Sequence, residues 1–486
     1  WLAPALLSLF LLLYRLSDVA GLYRDEATFG LFAELIQEGY RPVRGYFNIY
    51  TSPVHSYIIA ICFSLFGESI GSLRISGILF NLLAACAYVD MVRRLFPSLA
   101  IWSFYFLITM PFYIVMSRIA GENYALNPFF LFVGMWSFYV IGSSEKKWFS
   151  KAGYTISGLF FYMGVWNHVV FLPTVVSIII GYCVVSRVNI KKALTVFPWF
   201  IFGGLIGVIP KLYGVIVHGY SFIPQKSIKG IPALSNTLIN LIYTLGGDGL
   251  YAKICGEILF SFNWFLPLSV VVSAIIQLRS KTTPSRKKMW KITVLCFFFS
   301  SLGTWLITPL GLSGPRLWLL PLWFIPFLLA LSLPVSVKWL KISIGVIIIS
   351  INLLSTGLNY FYNFLQDGGI PKDNIYIGGF YDSGLNFIDM RPLVKKLNKY
   401  KSNKPIYIED VNTHRMLFLI NKSYRSRVKV IKDIKKGERL PINSLVIRYK
   451  FKDGRKVWAV ININKSVAAL DSALSTSNYA VYKVVK

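Results

Sequence analysis

The sequence predicts an all-α polytopic membrane domain followed by a small α/β domain outside the membrane. Three observations carry that reading. Of 486 residues, 55% are hydrophobic and only 15% are charged, where a soluble domain carries roughly a quarter charged residues. Mean hydropathy is +0.57, which excludes a soluble globular protein. Long apolar runs fill residues 1–360 and then stop, so the expected boundaries are a membrane domain at 1–360, with outer-face loops 17–52 and 218–257, and an extracytoplasmic domain at 361–486.

Taken in order, the apolar segments are 1–16, 52–67, 71–92, 98–116, 123–142, 153–166, 168–186, 195–217, 258–278, 292–310, 317–334 and 338–358. Basic residues set their direction: Arg93 and Arg94, then Lys146, Lys147 and Lys151, then Arg187, Lys191 and Lys192, then the stretch 279–291, then Lys338 and Lys341. These occupy alternate connections, as one cytoplasmic side requires. Residues 52–67 break the parity, because 23–51 and 67–74 cannot both lie outside if the segment crosses fully. It is read as a helix lying in, or re-entering from, the outer leaflet, which leaves eleven crossings; a further span hidden in 231–247 is the competing explanation. The tail reads as a small α/β unit, with strands near 375–377, 405–408, 428–431, 445–447 and 457–461 and helices near 391–400 and 411–420.

Charge narrows the partners. The net charge is +30, and a basic tail outside the membrane meets anionic lipid or phosphate rather than nucleic acid. The five cysteines, Cys62, Cys86, Cys183, Cys255 and Cys296, all lie in or beside apolar segments, so no disulfide framework is expected. The chain opens at Trp1 inside an apolar run, and the natural start is expected upstream.

The most informative stretch is Tyr23-Arg24-Asp25-Glu26-Ala27, directly after the first span. Residues 27–38 put Leu31, Phe32, Leu35 and Ile36 on one side of a helix, which suggests an interfacial helix with a carboxylate pair at its start. Two readings stand side by side. Asp25 is either the N-cap, with Glu26 as a partner of the helix dipole, or the pair carries chemistry on the outer face.

The order Arg24-Asp25-Glu26-Ala27, Gly45-Tyr46-Phe47, Ser52-Pro53-Val54-His55-Ser56-Tyr57, Leu65-Phe66-Gly67-Glu68-Ser69, Leu73-Arg74-Ile75-Ser76-Gly77, Arg93-Arg94-Leu95-Phe96 and Ser117-Arg118-Ile119-Ala120-Gly121-Glu122 resembles the protein O-mannosyltransferase and aminoarabinose-transferase group, membrane glycosyltransferases of the GT-C class. It continues in Gly246-Gly247-Asp248-Gly249 and Gly314-Pro315-Arg316-Leu317. The resemblance implies a GT-C-like fold and a sugar donor carried on a polyprenyl phosphate. It also implies that the first acid of the pair, Asp25, is the catalytic carboxylate and Glu26 its supporting neighbour. The chemistry agrees independently. A polyprenyl phosphate leaves as a stabilised anion, so the reaction needs a base for the acceptor hydroxyl and cations for the phosphate but no general acid; glycoside hydrolysis needs a second carboxyl to protonate its leaving group.

The expected donor-phosphate ligands are Arg118, Arg316, Lys211 and Arg74, and the expected acceptor or supporting residues are Glu122, His55 and Asp248. Each has a plainer alternative: Arg316 and Lys211 as interfacial anchors that snorkel, Arg118 as a helix-end partner of Glu122, His55 as a satisfied helix-start residue. Two departures from the group matter. Ser52-Pro53-Val54 stands where many relatives have Lys-Pro-Pro or His-Pro-Pro, and Thr28 stands where lipid A enzymes have a basic residue, which argues against lipid A as acceptor. No tightly bound cofactor or metal is expected, since Asp25-Glu26 is not an Asp-x-Asp motif and His168 and His218 lack ligand spacing, although a divalent ion remains open. The competing class is a transporter or flippase for a lipid-linked or anionic solute, which should show repeated halves and charges near the midplane. Here the charges gather at the outer ends. The absence of an inserted lumenal domain favours the cytoplasmic membrane of a prokaryote, with an envelope glycan, lipid or protein as acceptor.

Overall fold

The computed structural model describes residues 1–18, 22–43, 51–120, 123–218, 271–272, 275–276, 283–307, 319–333, 338–357, 390–400, 402–408, 410–430, 440–449, 468–476 and 479–485. Through residue 218 the chain forms α1 (Leu2–Leu13), α2 (Arg24–Gln37), α3 (Val54–Phe66), α4 (Ile70–Leu95), α5 (Ala100–Thr109), α6 (Pro111–Arg118), α7 (Asn127–Trp136), α8 (Lys147–Asn167), α9 (Leu172–Ser186) and α10 (Ile190–His218). Then follow α11 (Pro284–Ile307), α12 (Leu319–Leu322), α13 (Ile325–Ser332) and α14 (Lys338–Ser355). The tail adds α15 (Arg391–Lys399) and α16 (Asp410–Leu419).

Among the described residues, Ile70–Leu95, Val169–Ser186, Ala193–His218 and Lys338–Ser355 are long and apolar enough to cross a membrane, so the protein is a multi-pass membrane protein. The segment expected at 98–116 is broken. Helix α6 leaves α5 at 58°, because Pro111 lacks an N–H and drives Met110 into an extended conformation at ψ 127. Helix α3 has 13 residues, about 20 Å, short of the roughly 30 Å hydrocarbon core. The expected segment at 258–278 and the alternative span at 231–247 lie largely or wholly outside the described residues.

Apolar side chains of α4 to α9 and α13 make one continuous core, including Tyr88, Phe106, Tyr113, Leu131, Phe171, Trp323 and Phe327. Small residues bring backbones together where α8 meets α10. A Cβ on Gly158 would lie 1.9 Å from the Phe200 carbonyl oxygen and one on Gly203 1.8 Å from that of Thr155, the close approach that glycine permits in membrane helices.

The tail carries β1 (Ile406–Ile408), β2 (Val428–Val430), β3 (Leu445–Tyr449), β4 (Ala468–Leu470) and β5 (Tyr479–Val484) in the spatial order β2-β1-β3-β5-β4. β1 is parallel to both β2 and β3, while β5 is antiparallel to β3 and β4. Leu393, Val394 and Leu397 of α15 and Met416 of α16 bury against Ile406, Ile408, Leu445, Ile447 and Val481. The expected strands at 405–408, 428–431 and 445–447 and both expected helices are present; β4 and β5 escaped the sequence reading, and 375–377 and 457–461 lie outside the described residues.

Candidate active site

Helix α2 begins one residue before the acidic pair, and Tyr23 is its N-cap. This corrects the alternative in which Asp25 caps the helix. The Glu26 carboxylate closes a capping box by accepting the Tyr23 N–H at 2.9 Å. It also accepts Arg74 Nε and Nη2, each at 2.9 Å, and the Ala120 N–H at 2.9 Å. Both side chains of the Glu26–Arg74 pair are fully buried, and Arg74 Nη1 donates to the Leu16 carbonyl at 2.8 Å. Four chain segments, after α1, at α2, at α4 and after α6, are thereby tied at one point. A buried pair is only tolerable with this degree of hydrogen bonding, and breaking it leaves an uncompensated charge.

Asp25 lies in the first turn of α2 and is partly buried. Arg24 beside it is also partly buried, and its Nε has no hydrogen-bond partner among the described residues. The apolar side of α2 differs from the expected one. Phe29, Phe32, Ala33 and Ile36 are buried, with Phe29, Ala33 and Ile36 against Ile59, Phe63 and Leu73 of α3 and α4, whereas Leu35 is exposed. α2 is thus packed within the protein rather than only resting on a bilayer.

Two of the expected phosphate ligands have other work. Arg74 is spent on Glu26, as described. Arg118, the last residue of α6, is fully buried and donates to the Leu11, Leu12 and Tyr14 carbonyls at 2.9 Å and to Arg15 at 3.4 Å. It satisfies the carbonyls that the end of α1 leaves open; its expected pairing with Glu122 falls outside the described residues. Lys211 is buried on α10, which packs chiefly along α8. His55 is fully buried, with Nε2 3.1 Å from Ser76 Oγ and its ring 5.7 Å from that of Phe29. It joins α2, α3 and α4 below the acidic pair. Ser52 Oγ bonds Asn167 at 3.2 Å, and Asn167 bonds Asn127 at 3.0 Å, so the stretch without a phosphate lysine is a buried link to α7 and α8. Arg316, Glu122 and Asp248 lie outside the described residues. Among the described residues, no group of three or more His, Cys, Asp or Glu could hold a metal ion.

Contacts from the tail were invisible in the sequence. Arg425 grips both oxygens of Glu34, a 3% exposed carboxylate on α2, one bond measuring 3.0 Å and the other running from Nη1 to Oε2. Lys422 sits 3.9 Å from Glu34 and 2.8 Å from Glu68, and Arg391 bonds Asp18 at 2.8 Å. The Glu68 hydrogen bond raises the Lys422 pKa, and the Arg391 hydrogen bond lowers that of Asp18. A cleft of about 360 Å³ lies here between α2, the start of α4 and α16, lined by Glu34, Glu68, Phe418, Lys422 and Arg425 among others.

A family model described as dolichyl-phosphate-mannose-protein mannosyltransferase matches residues 50–213, from just before α3 into α10. No curated protein matches the sequence. The crystal structure of ArnT from Cupriavidus metallidurans bound to undecaprenyl phosphate superposes with a TM-score of 0.52 at 10% identity, covering 99% of this chain and 97% of that chain. ArnT from the same organism in the apo state gives 0.46 at 12% identity, covering 99% and 96%. The chain has the fold of the first of these structures, the GT-C-like membrane architecture with a small α/β domain expected from the sequence, and the resemblance is borne out by that fold and, over residues 50–122, by the family model.

Proposed function

We propose that the protein is an inverting glycosyltransferase that moves a sugar from a polyprenyl-phosphate donor to an acceptor hydroxyl on the outer face of a prokaryotic cytoplasmic membrane. One observation carries the assignment of roles. Of two adjacent carboxylates, Glu26 is consumed by Arg74 and two backbone N–H groups, while Asp25 occupies the first turn of the same helix, partly exposed. The ArnT fold and the mannosyltransferase family model support the donor class.

In this reading Asp25 takes the proton of the acceptor O–H as that oxygen attacks the anomeric carbon. The bond from that carbon to the phosphate oxygen breaks, and its electron pair leaves with the polyprenyl phosphate. Glu26 acts on Asp25 only by fixing the turn that presents it. With Arg74 and Arg118 occupied, Arg24 and Arg316 are the cations proposed for the growing phosphate charge, and an arginine fork suits that role.

The experiment is Asp25→Asn in purified, reconstituted protein, offered a panel of polyprenyl-phosphate sugars, with released polyprenyl phosphate as the readout. The variant keeps shape and removes charge. It is expected to stay folded and bind donor while turning over ~100-fold more slowly or worse, the usual scale for a lost general base. Near-normal turnover would defeat the assignment.

A further inference from the structure

We propose that the C-terminal domain is a clamp on the reacting helix, with Arg425 and Phe418 as positioning residues that hold α2, and through it Asp25, in register with the membrane domain. The inference rests on Asp25 being the base.

Besides its packing on α3 and α4 and the Gln37 bonds to Ala60 and Ser64, helix α2 carries two buried charged anchors. The first is Glu26, held by Arg74 of α4. The second is Glu34, nine residues beyond Asp25 and roughly 13 Å along the axis, and its anchor comes from the tail. A carboxylate as buried as Glu34 needs a charge partner and hydrogen bonds to be tolerable. Arg425 supplies both in a two-pronged grip, and Lys422 bridges the same carboxylate to Glu68 at the start of α4.

Between the two points the tail also makes an apolar contact. Phe418 of α16 lies against Gly30, where a Cβ would stand 2.4 Å from its Cε2, and its ring is 6.2 Å from that of Phe63 on α3. Gly30 is the residue that lets the ring enter the groove between α2 and α3. A domain that was only tethered would need neither a buried carboxylate on α2 nor a notch in it. With the Glu34 anchor lost, α2 can tilt about the Glu26–Arg74 cluster at its start, and that tilt changes the direction in which the first turn presents Asp25. A misplacement of about 1 Å at a reacting group is enough to cost ~100-fold in rate.

The test uses full-length protein in nanodiscs and the polyprenyl-phosphate release assay, with rates expressed per folded molecule. Arg425→Gln and Phe418→Ala are each expected to lower kcat ~10-fold or more while donor KM changes less than about threefold, since Asp25 and the neighbouring Arg24 move together and both act on charge that develops in the transition state rather than on the bound donor. The charge exchange Glu34→Arg with Arg425→Glu is expected to restore most of the loss. Unchanged kcat in both single variants, or a loss that the exchange leaves in place, would overturn the clamp. If Arg425→Gln does not fold, Arg425→Lys carries the same expectation with a smaller drop, and its full activity would overturn it equally. Asp25→Asn in the same assay separates the two ideas: an inactive Asp25→Asn beside unaffected clamp variants sinks the clamp alone, while an active Asp25→Asn sinks the base and the clamp together.

Discussion

At the residue scale, adjacency in sequence conceals a division of labour. Asp25 and Glu26 are chemically near-identical neighbours, yet the helix turns them about 100° apart, so Glu26 faces Arg74 and the Ala120 N–H in a fully buried cluster while Asp25 is only partly buried. Arg74 and Arg118 are both fully buried arginines whose donors are engaged by groups of the protein itself. Arg74→Ala leaves Glu26 charged and buried, and should cost about 3–5 kcal/mol of stability. Arg118→Ala opens several carbonyls at the end of α1 and should cost on the order of 1–3 kcal/mol. Thermal unfolding in detergent would measure both. Wild-type stability in either variant, together with a selective loss of donor binding, would return that arginine to the phosphate site.

At the element scale, α2 is the junction at which membrane domain and tail meet, and its partners respond to pH in opposite directions. The Asp18 carboxyl is held below its ordinary value of 3.8 by the Arg391 hydrogen bond. That contact contributes stability above 3.8, which is lost as pH falls through the lower folded value. The Lys422 ammonium is raised above 10.5 by Glu68, so its contribution is complete below 10.5 and is lost as pH rises through the higher folded value. Docking of α15 and α16 should therefore be firmest between these limits, loosen in acid, and weaken with salt because the Asp18–Arg391 and Lys422–Glu68 pairs are substantially exposed. Hydrogen exchange of residues 410–419, corrected for the intrinsic rate, would follow this. Protection that is the same at about pH 3 and pH 7, and at low and high salt, would leave the exposed pairs without a part in docking and assign it to the buried Glu34–Arg425 pair and Phe418 packing.

At the scale of the whole molecule, the alternation of basic connections predicts residues 218–257 and the tail outside and 279–291 in the cytoplasm. On a background without the native cysteines, Ser285→Cys in intact cells should resist an impermeant thiol reagent, and labelling there would invert the topology. The sequence by itself determined the membrane class, the place of most helices, the α/β character of the tail and the acidic pair at the start of α2. Those properties follow from local periodicity and composition, which a hydrocarbon core enforces because each backbone must satisfy its own hydrogen bonds. Tertiary structure alone decided what each charge does. Glu26 and Arg74 are 48 positions apart, Arg118 and Leu11 are 107 apart, and Glu34 and Arg425 are 391 apart. Nothing local distinguishes a buried, saturated arginine from one aimed at a phosphate, since the free energy that separates them comes from desolvation and from partners that only the folded chain brings near.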